Sequence, residues 1–213
     1  MNDKYDPEIL EKICEIGRRM YNREMVAAND GNISVRLSDG AIVCTPTGVS
    51  KGFMKPEMLT IIDEKGNILR AAEGYKPSSE IKMHLRVYER RRDIQAVVHA
   101  HPPYATTFAC MEKELEKPIM TEAVVSLGRV PLAPYATPST KEVPDSIEGL
   151  VMDHNALLLS HHGALTYGES LEKAYMLMES VEFYARLLYQ TETLGGAETI
   201  KGEALLKLKN LVY

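Results

Sequence analysis

Two histidines that stand two positions apart are the first residues in this chain that could do chemistry. His99 and His101 follow the apolar run 96–98 and precede two prolines. Because side chains two apart on a β-strand point to the same face, the two imidazoles project side by side. Such a pair often supplies two nitrogen ligands to zinc or a similar metal. Two packed histidines at a strand end would give the same pattern, so a metal site needs further ligands.

A third ligand is available in the stretch "LLLSHHGA", at the end of a second apolar segment. Metal sites that act on substrates usually have three protein ligands and one open position. We predict that one residue of the pair His161 and His162 is a ligand and that the other packs outside the site. His162 precedes a glycine, where the chain can turn tightly toward an ion. The remaining histidines, His84 and His154, are predicted to be structural or exposed.

Glu80 is the candidate acid or base. It follows Ser78 and Ser79 at the predicted start of a helix. A carboxylate in this position is favoured by the helix dipole alone, which is a purely structural explanation. Beside a metal ion, the same carboxylate could serve as a fourth ligand or as a general base.

Three polar loops could bind an anion: "GN" at 31–32, "TPTG" at 45–48 and "PSS" at 77–79. Hydroxyl groups and free backbone N–H groups at turns and helix starts are typical phosphate donors. Each loop alone is a common turn. Together with the histidines, the loops predict a phosphorylated small substrate.

The elements that must position these residues follow from the hydrophobic pattern. The first half of the chain is predicted to form a helix from Asp6 to about Ala28, hairpins within 32–44 and 59–70, a helix from Ser78 or Ser79, and a strand ending at His101. The second half is predicted to form a helix from Pro103 to about Met111, an extended segment at 129–136, a helix near 141–154 and a strand at 156–160. Two further helices are predicted, one from Ser170 to about Thr193 and one at the C-terminus. Hairpins outnumber strand–helix–strand units. The predicted fold class is therefore α/β (α+β), with a mostly antiparallel central sheet covered by helices on both faces.

Composition narrows the protein class. The chain has 213 residues and 45% hydrophobic residues, which fits one domain over 1–213. With a net charge of −5 and no basic cluster longer than the three arginines at 90–92, nucleic acid is not an expected partner. The sequence has no signal-peptide pattern and no apolar run of membrane-spanning length. Three widely spaced cysteines indicate reduced thiols, so a cytoplasmic location without membrane contact is expected.

The motifs "GNISVR", "TPTG", "PSSE", "VVHAH", "APYAT" and "HHG" occur in the order and spacing of the class II aldolase/adducin family. The chain resembles this family over nearly its whole length, and most closely its bacterial L-fuculose-1-phosphate aldolases. The resemblance implies a three-layer fold and a homotetramer with active sites between neighbouring subunits. The family also contains adducin-like interaction domains that have lost the metal, but the intact histidines and Glu80 argue against that class.

The resemblance also implies roles for individual residues. One zinc ion per subunit would be held by His99, His101 and His162. Glu80 would bind the resting metal and then move away to act as the proton-transfer base. The phosphate group of the substrate would be bound by Gly31, Asn32, Thr47, Gly48, Ser78 and Ser79.

The activity implied in this way is zinc-dependent cleavage of a ketose 1-phosphate, such as L-fuculose 1-phosphate. The products would be dihydroxyacetone phosphate and a small aldehyde such as lactaldehyde. Pentulose-phosphate 4-epimerases are an alternative, although they carry Asp where this chain has Glu80. Deoxypentulose-1-phosphate aldolases and methylthioribulose-1-phosphate dehydratases keep the zinc ligands and are further alternatives.

One position departs from the aldolase pattern. Met120 stands where the resembled aldolases have a proton-donating tyrosine, and a thioether cannot donate a proton. Glu122, two residues further on, and Tyr213, at the end of the sequence, are the candidates for this second acid.

Overall fold

The computed structural model describes residues 6–211. Its helices are α1 (Pro7–Asn22), α2 (Ile81–Arg90), α3 (Pro103–Cys110), α4 (Thr121–Ser126), α5 (Glu142–Ile147), α6 (Leu171–Thr193) and α7 (Gly202–Lys209). Its strands are β1 (Asn32–Arg36), β2 (Ile42–Cys44), β3 (Thr60–Ile62), β4 (Ile68–Arg70), β5 (Ala96–Ala100), β6 (Leu132–Ala133), β7 (Ala156–Leu159) and β8 (Gly163–Gly168). Two short 3-10 turns, Lys51–Phe53 and Pro56–Met58, connect β2 to β3.

All eight strands form one sheet in the order β4-β3-β2-β1-β5-β8-β7-β6. Every neighbouring pair is antiparallel except β6 and β7, which are parallel. The two predicted hairpins are present as β1–β2 and β3–β4. The predicted fold class, a mostly antiparallel sheet between helices, is confirmed.

Both faces of the central strands are buried, as the alternation along β5 illustrates. Val98 packs in a core with α1, α3 and α6, whereas Val97 packs in a second core with α2 and α5. His99 lies two residues after Val97 and therefore points to the α2 side of the sheet. The sheet thus presents His99 toward the start of α2, where Glu80 lies.

The first helix is shorter than the sequence pattern predicts. Asp6 caps its start, because its side chain accepts a hydrogen bond from the backbone N–H of Glu8 at 2.9 Å. The helix ends at Asn22 rather than near Ala28. Glu24 adopts a left-handed conformation (φ 59°), which an α-helix cannot continue through, and the N–H of Met25 turns back to Met20 O.

Strand β8 and helix α4 were not predicted from the sequence. All six residues of β8, "GALTYG", are buried, so the strand lacks the polar alternation that marks a half-buried strand. β8 nevertheless pairs with both β5 and β7. Gly163 begins the strand, and a Cβ atom there would lie 2.4 Å from Ala100 O. The absence of a side chain at Gly163 therefore lets β8 approach β5.

Two predicted helices extend beyond the observed ones. Helix α2 begins at Ile81, because residues 79–80 form a turn. Helix α5 ends at Ile147, and successive turns over residues 148–153 replace the rest of the predicted helix. The extended segment at 129–136 contributes only the two residues of β6, since prolines on either side of them cannot donate ladder hydrogen bonds.

Within residues 6–211, no helix is both long enough and apolar enough to cross a membrane.

Candidate metal centre and anion pocket

Three imidazoles meet at one end of the central strands. His99 lies at the end of β5, His101 directly follows that strand, and His162 lies in the turn between β7 and β8. The pairing of Ala100 with Ala164 places this turn beside the end of β5. The Nε2 atoms of His99 and His101 are 3.1 Å apart, and the nitrogen ligand atoms of all three histidines lie within 4.8 Å of one another. Tetrahedral ligands at the usual Zn–N distance would be about 3.3 Å apart, so the cluster has the dimensions of a metal site.

The other ring nitrogen of two of these histidines faces a protein acceptor. His99 Nδ1 lies 2.9 Å from Ala164 O, and His101 Nδ1 lies 3.3 Å from the Asp30 carboxylate. Both contacts favour a proton on Nδ1 and leave the Nε2 lone pair free for a metal. Burial lowers the pKa of His99 well below its ordinary value, and burial together with His162 lowers the pKa of His101. Both residues are therefore held as neutral imidazoles, the form that binds metals.

Glu80 points into the same cluster. Its carboxylate oxygens lie 3.1 Å from His162 Nε2 and 3.4 Å from His99 Nε2. Asn32 Nδ2 donates a hydrogen bond of 3.0 Å to Glu80 Oε2. Burial raises the pKa of Glu80, but His99, His162 and Asn32 together lower it further, so the net pKa is below the ordinary value. The carboxylate is thus held ionised, which suits either a metal ligand or a base.

The other histidines lie apart from the cluster. His84 is buried, and its Nδ1 lies 2.7 Å from Ser34 Oγ. Burial lowers the pKa of His84 to about 3, so it stays neutral. His154 is half-buried before β7. His161 adopts a left-handed conformation (φ 54°) that turns the chain, and its N–H donates to Ala109 O. The structure therefore brings His162, and not His161, to the cluster.

A cavity of about 120 Å³ opens beside His101 and Glu80. Its lining includes five of the six residues that the sequence analysis assigned to phosphate, namely Gly31, Asn32, Thr47, Ser78 and Ser79. The sixth, Gly48, follows Thr47 in a left-handed conformation and does not line the cavity. We refer to this cavity as the anion pocket. Two larger clefts, of about 510 and 790 Å³, have no histidine in the part of their lining that the structure describes.

Backbone contacts connect the three loops of the anion pocket. Ile33 N donates to Thr45 Oγ1 at 3.1 Å, and Ser78 N donates to Thr45 O at 3.3 Å. Gly31 has φ +72°, and a Cβ atom there would lie 2.6 Å from a methyl carbon of Val26 and 2.9 Å from His99 O. Only glycine combines this backbone angle with so close an approach to β5. The loop before β1 is therefore held against the histidines.

Sequence reasoning missed three residues of this region: Asp30, Lys51 and Ser139. Asp30 faces His101, and its position next to Gly31 in the loop was the available signal. Lys51 lies in the same polar loop as Thr47 and also lines the pocket. Ser139 comes from a distant loop, where its hydroxyl donates to Ser79 Oγ at 3.0 Å, and no local pattern marks it.

Glu122, one of the two candidate second acids, does not lie in this cluster. Glu122 is exposed in α4 and accepts a hydrogen bond of 2.7 Å from the Thr121 hydroxyl, which lowers its pKa. Glu122 lines a cleft of about 290 Å³ together with Met120 and Phe183, and it does not line the anion pocket. Tyr213 lies outside the described residues.

The chain is similar to a known family and to several known proteins. The family described as "Class II Aldolase and Adducin N-terminal domain" matches residues 11–189. A 3-oxo-tetronate 4-phosphate decarboxylase of Escherichia coli O6:H1 is 33% identical over 190 residues, covering 87% of this chain and 88% of that protein. A 5-deoxy-D-ribulose 1-phosphate aldolase of Bacillus thuringiensis serovar kurstaki is 35% identical over 188 residues, covering 87% of this chain and 86% of that protein.

Among solved structures, an L-fuculose 1-phosphate aldolase superposes with a TM-score of 0.88. The two chains are 27% identical, and the match covers 96% of each. The similarity therefore extends over nearly the whole chain.

Proposed function

The chain belongs to the class II aldolase and adducin family and is a lyase of that family, and from this premise we propose its reaction. The proposed reaction is zinc-dependent cleavage of the C3–C4 bond of a ketose 1-phosphate. The products are dihydroxyacetone phosphate and a small aldehyde, with an L-fuculose 1-phosphate-like ketose as the first substrate to test. One observation supports this proposal most directly: five of the predicted anion-binding residues line one pocket, and that pocket lies beside the histidines and Glu80.

The residues fit a divalent metal because three imidazoles and a carboxylate are directed at one point. A metal bound by His99, His101 and His162 supplies a Lewis acid that stabilises negative charge on a substrate oxygen. Zinc is proposed because it favours nitrogen ligands in tetrahedral sites.

Glu80 is proposed to move the proton at C3. In the synthetic direction its carboxylate removes a proton from C3 of dihydroxyacetone phosphate, and in cleavage it returns one. Asn32 orients the resting carboxylate through the 3.0 Å hydrogen bond. Hydroxyl groups of Thr47, Ser78 and Ser79 hold the phosphate in the adjoining pocket, so C3 of the bound substrate is presented to Glu80.

Decarboxylation of a 3-oxo acid phosphate is a second candidate, and the residue Met120 favours it. Loss of CO₂ from a 3-oxo-tetronate 4-phosphate leaves the same three-carbon ketone phosphate as aldol cleavage. Aldol cleavage also requires a group that exchanges a proton with the aldehyde oxygen, whereas decarboxylation forms no aldehyde. Met120 cannot perform that exchange, and Glu122 lies in another cleft. One of the relatives described above carries the name of this decarboxylation.

Assembly into a homotetramer, with active sites at subunit interfaces, is also proposed. Helix α6 exposes the large apolar side chains of Met176, Phe183 and Tyr189, and Leu194, which directly follows the helix, is also exposed. Exposed apolar side chains along one helix favour burial against another subunit. A neighbouring subunit could then supply the second acid, and Glu122 and Tyr213 are the residues to test. Light scattering coupled to gel filtration measures the number of subunits.

One experiment tests the reaction and separates the two candidates. Zinc-loaded protein is incubated with dihydroxyacetone phosphate and a panel of small aldehydes, and separately with 3-oxo-tetronate 4-phosphate. New ketose 1-phosphates, identified by mass spectrometry and NMR, support the aldolase. Release of CO₂ with dihydroxyacetone phosphate supports the decarboxylase. The proposed function would be contradicted if neither product forms and elemental analysis shows that the protein does not retain the added zinc.

A further inference from the structure

Lys51 is a buried lysine beside the anion pocket. It begins the 3-10 turn Lys51–Phe53, and only 1% of its surface is exposed. Its ammonium group donates to two backbone carbonyls, Asn29 O and Val49 O, each at 2.8 Å. Lysine is rarely buried to this degree without a carboxylate partner. Among residues 6–211, Lys51 forms no salt bridge with a carboxylate, so burial of its charge needs another explanation.

The position of Lys51 in the pocket supplies that explanation. Among the described residues that line the anion pocket, Lys51 is the only lysine or arginine. Asp30 and Glu80, which also line the pocket, carry negative charge toward any bound phosphate. The hydroxyl donors of the pocket are neutral. An ammonium group has three N–H donors, and the two carbonyls occupy two of them.

We propose that Lys51 is the cation that binds the phosphate group of the substrate and sets the preference for a doubly charged phosphate. This inference rests on the phosphate assignment in the proposed function and adds a residue to it. The third N–H of the ammonium group donates to a phosphate oxygen, while the two carbonyls fix its position between the loops. A charge-assisted contact of this kind contributes more affinity than the neutral hydroxyl contacts around it.

A purely structural role is the alternative, in which Lys51 only connects the loop at Asn29 to the loop at Val49. The protonation of Lys51 separates the two roles. Burial lowers the pKa of Lys51 to about 8, and Asp30 and Glu80 act in the opposite direction. Helix α1 packs against this turn through the uncharged residues Gly17 and Tyr21. His101, also in the pocket lining, is kept neutral because burial lowers its pKa.

The sign of the expected pH dependence follows from this arrangement. Below pH 8 the free protein carries the ammonium form, and bound phosphate favours that form further. Above pH 8 the free protein loses the proton, so phosphate affinity falls as the pH rises. A neutral amine could still donate to the two carbonyls, and a purely structural Lys51 would therefore leave phosphate affinity unchanged.

The test measures equilibrium binding of glycerol 1-phosphate to metal-loaded protein by calorimetry. This monoester stays doubly charged above pH 7, since its second pKa is about 6. Lys51→Met is expected to weaken binding by about 10- to 100-fold at pH 7.5. Lys55→Met, which changes an exposed lysine four residues away, is the matched control and is expected to bind like wild type. Wild type should lose affinity between pH 7.5 and 9, and Lys51→Met should not.

Two results would overturn the inference: wild-type binding of glycerol 1-phosphate that does not change over this pH range, or Lys51→Met with wild-type affinity. If Lys51→Met does not fold, Lys51→Gln replaces it, because the Gln amide can still donate to one carbonyl but carries no charge. The pH dependence of binding to the wild-type protein tests the inference without any variant. Metal content and turnover are measured on the same samples. If Lys51→Met keeps both its turnover and its affinity for glycerol 1-phosphate, the role of Lys51 is rejected but the proposed function is not.

Discussion

The two halves of the candidate site are built in different ways. The histidine cluster lies on β5 and the β7–β8 turn, where the pairing of strands fixes the direction of each imidazole. The anion pocket instead is lined mainly by loop residues before β1, after β2 and before α2. His99 is fully buried, whereas Ser78 and Ser79 are partly exposed. In the proposed reaction, strand pairing therefore fixes the groups nearest the bond to be broken, and loops would hold the remote phosphate.

This difference predicts different consequences of substitution. In the proposed reaction, groups at the histidine cluster would act on charge that develops during the reaction, so their loss is expected to lower kcat. Groups in the anion pocket bind substrate and transition state about equally, because the phosphate does not change during the reaction. Their loss is therefore expected to raise KM. The predictions below test this division in order of decreasing effect.

Substitution of His99 should have the largest effect. His99→Ala removes a nitrogen ligand that is fully buried and held by Ala164 O. We expect loss of the bound metal and a fall in turnover of at least ~10³-fold. Elemental analysis and steady-state kinetics measure both. His154→Ala, outside the cluster, is the control. A variant of His99 that keeps both its metal and its turnover would remove the histidine cluster from the mechanism.

Glu80→Gln should separate metal binding from proton transfer. Three histidines suffice to hold the metal, so metal content should stay near that of wild type. Deuterium exchange at C3 of dihydroxyacetone phosphate, followed by NMR, should slow by at least ~10²-fold, the usual effect of losing a general base. A structural role at the start of α2 would instead cost about 0.3–1 kcal/mol of stability and leave exchange intact. Exchange at the wild-type rate would defeat the role assigned to Glu80.

Asp30→Asn should weaken metal binding without abolishing it. The Asp30 carboxylate faces His101 Nδ1 at 3.3 Å and favours the ring form that binds a metal through Nε2. Loss of such an outer partner typically lowers metal affinity by about 10- to 100-fold. Competition with a chelator measures the affinity. Asp39→Asn, in the β1–β2 turn, provides a comparison at a distant aspartate. Equal affinities for Asp30→Asn and wild type would mean that this contact does not orient His101.

Ser78→Ala should have the smallest effect and should appear in KM. One neutral hydrogen bond contributes about 0.5–1.5 kcal/mol, which corresponds to a roughly 2- to 12-fold increase in KM for a phosphorylated substrate. The kcat should change little, and so should turnover of the unphosphorylated ketose. Ser126→Ala, in α4, is the matched control. A fall in kcat with unchanged KM would show that the two halves of the site are not separable in this way.

The parts of the site that the sequence revealed are those carried by local patterns. The strand with His99 and His101, the glycine after His162 and the polar loops are all contiguous in sequence. Strand β8 was missed because both of its faces are buried, which removes the alternating pattern. Asp30 and Ser139 were missed for a different reason: their partners His101 and Ser79 lie 71 and 60 residues away in sequence. Only the folded sheet brings these residues together.

The clustered histidines come from segments that are far apart in the sequence, and this separation has a consequence for the order of folding and metal binding. His101 and His162 are separated by 61 positions (162 − 101), and Ala164 in β8 supplies the partner of His99. During synthesis, the metal-binding group cannot form before β8 has left the ribosome and paired with β5. Contacts between such distant segments form slowly, because a long loop must close first. Metal uptake should therefore be a late event in folding, and bound metal should report that the central strands have assembled.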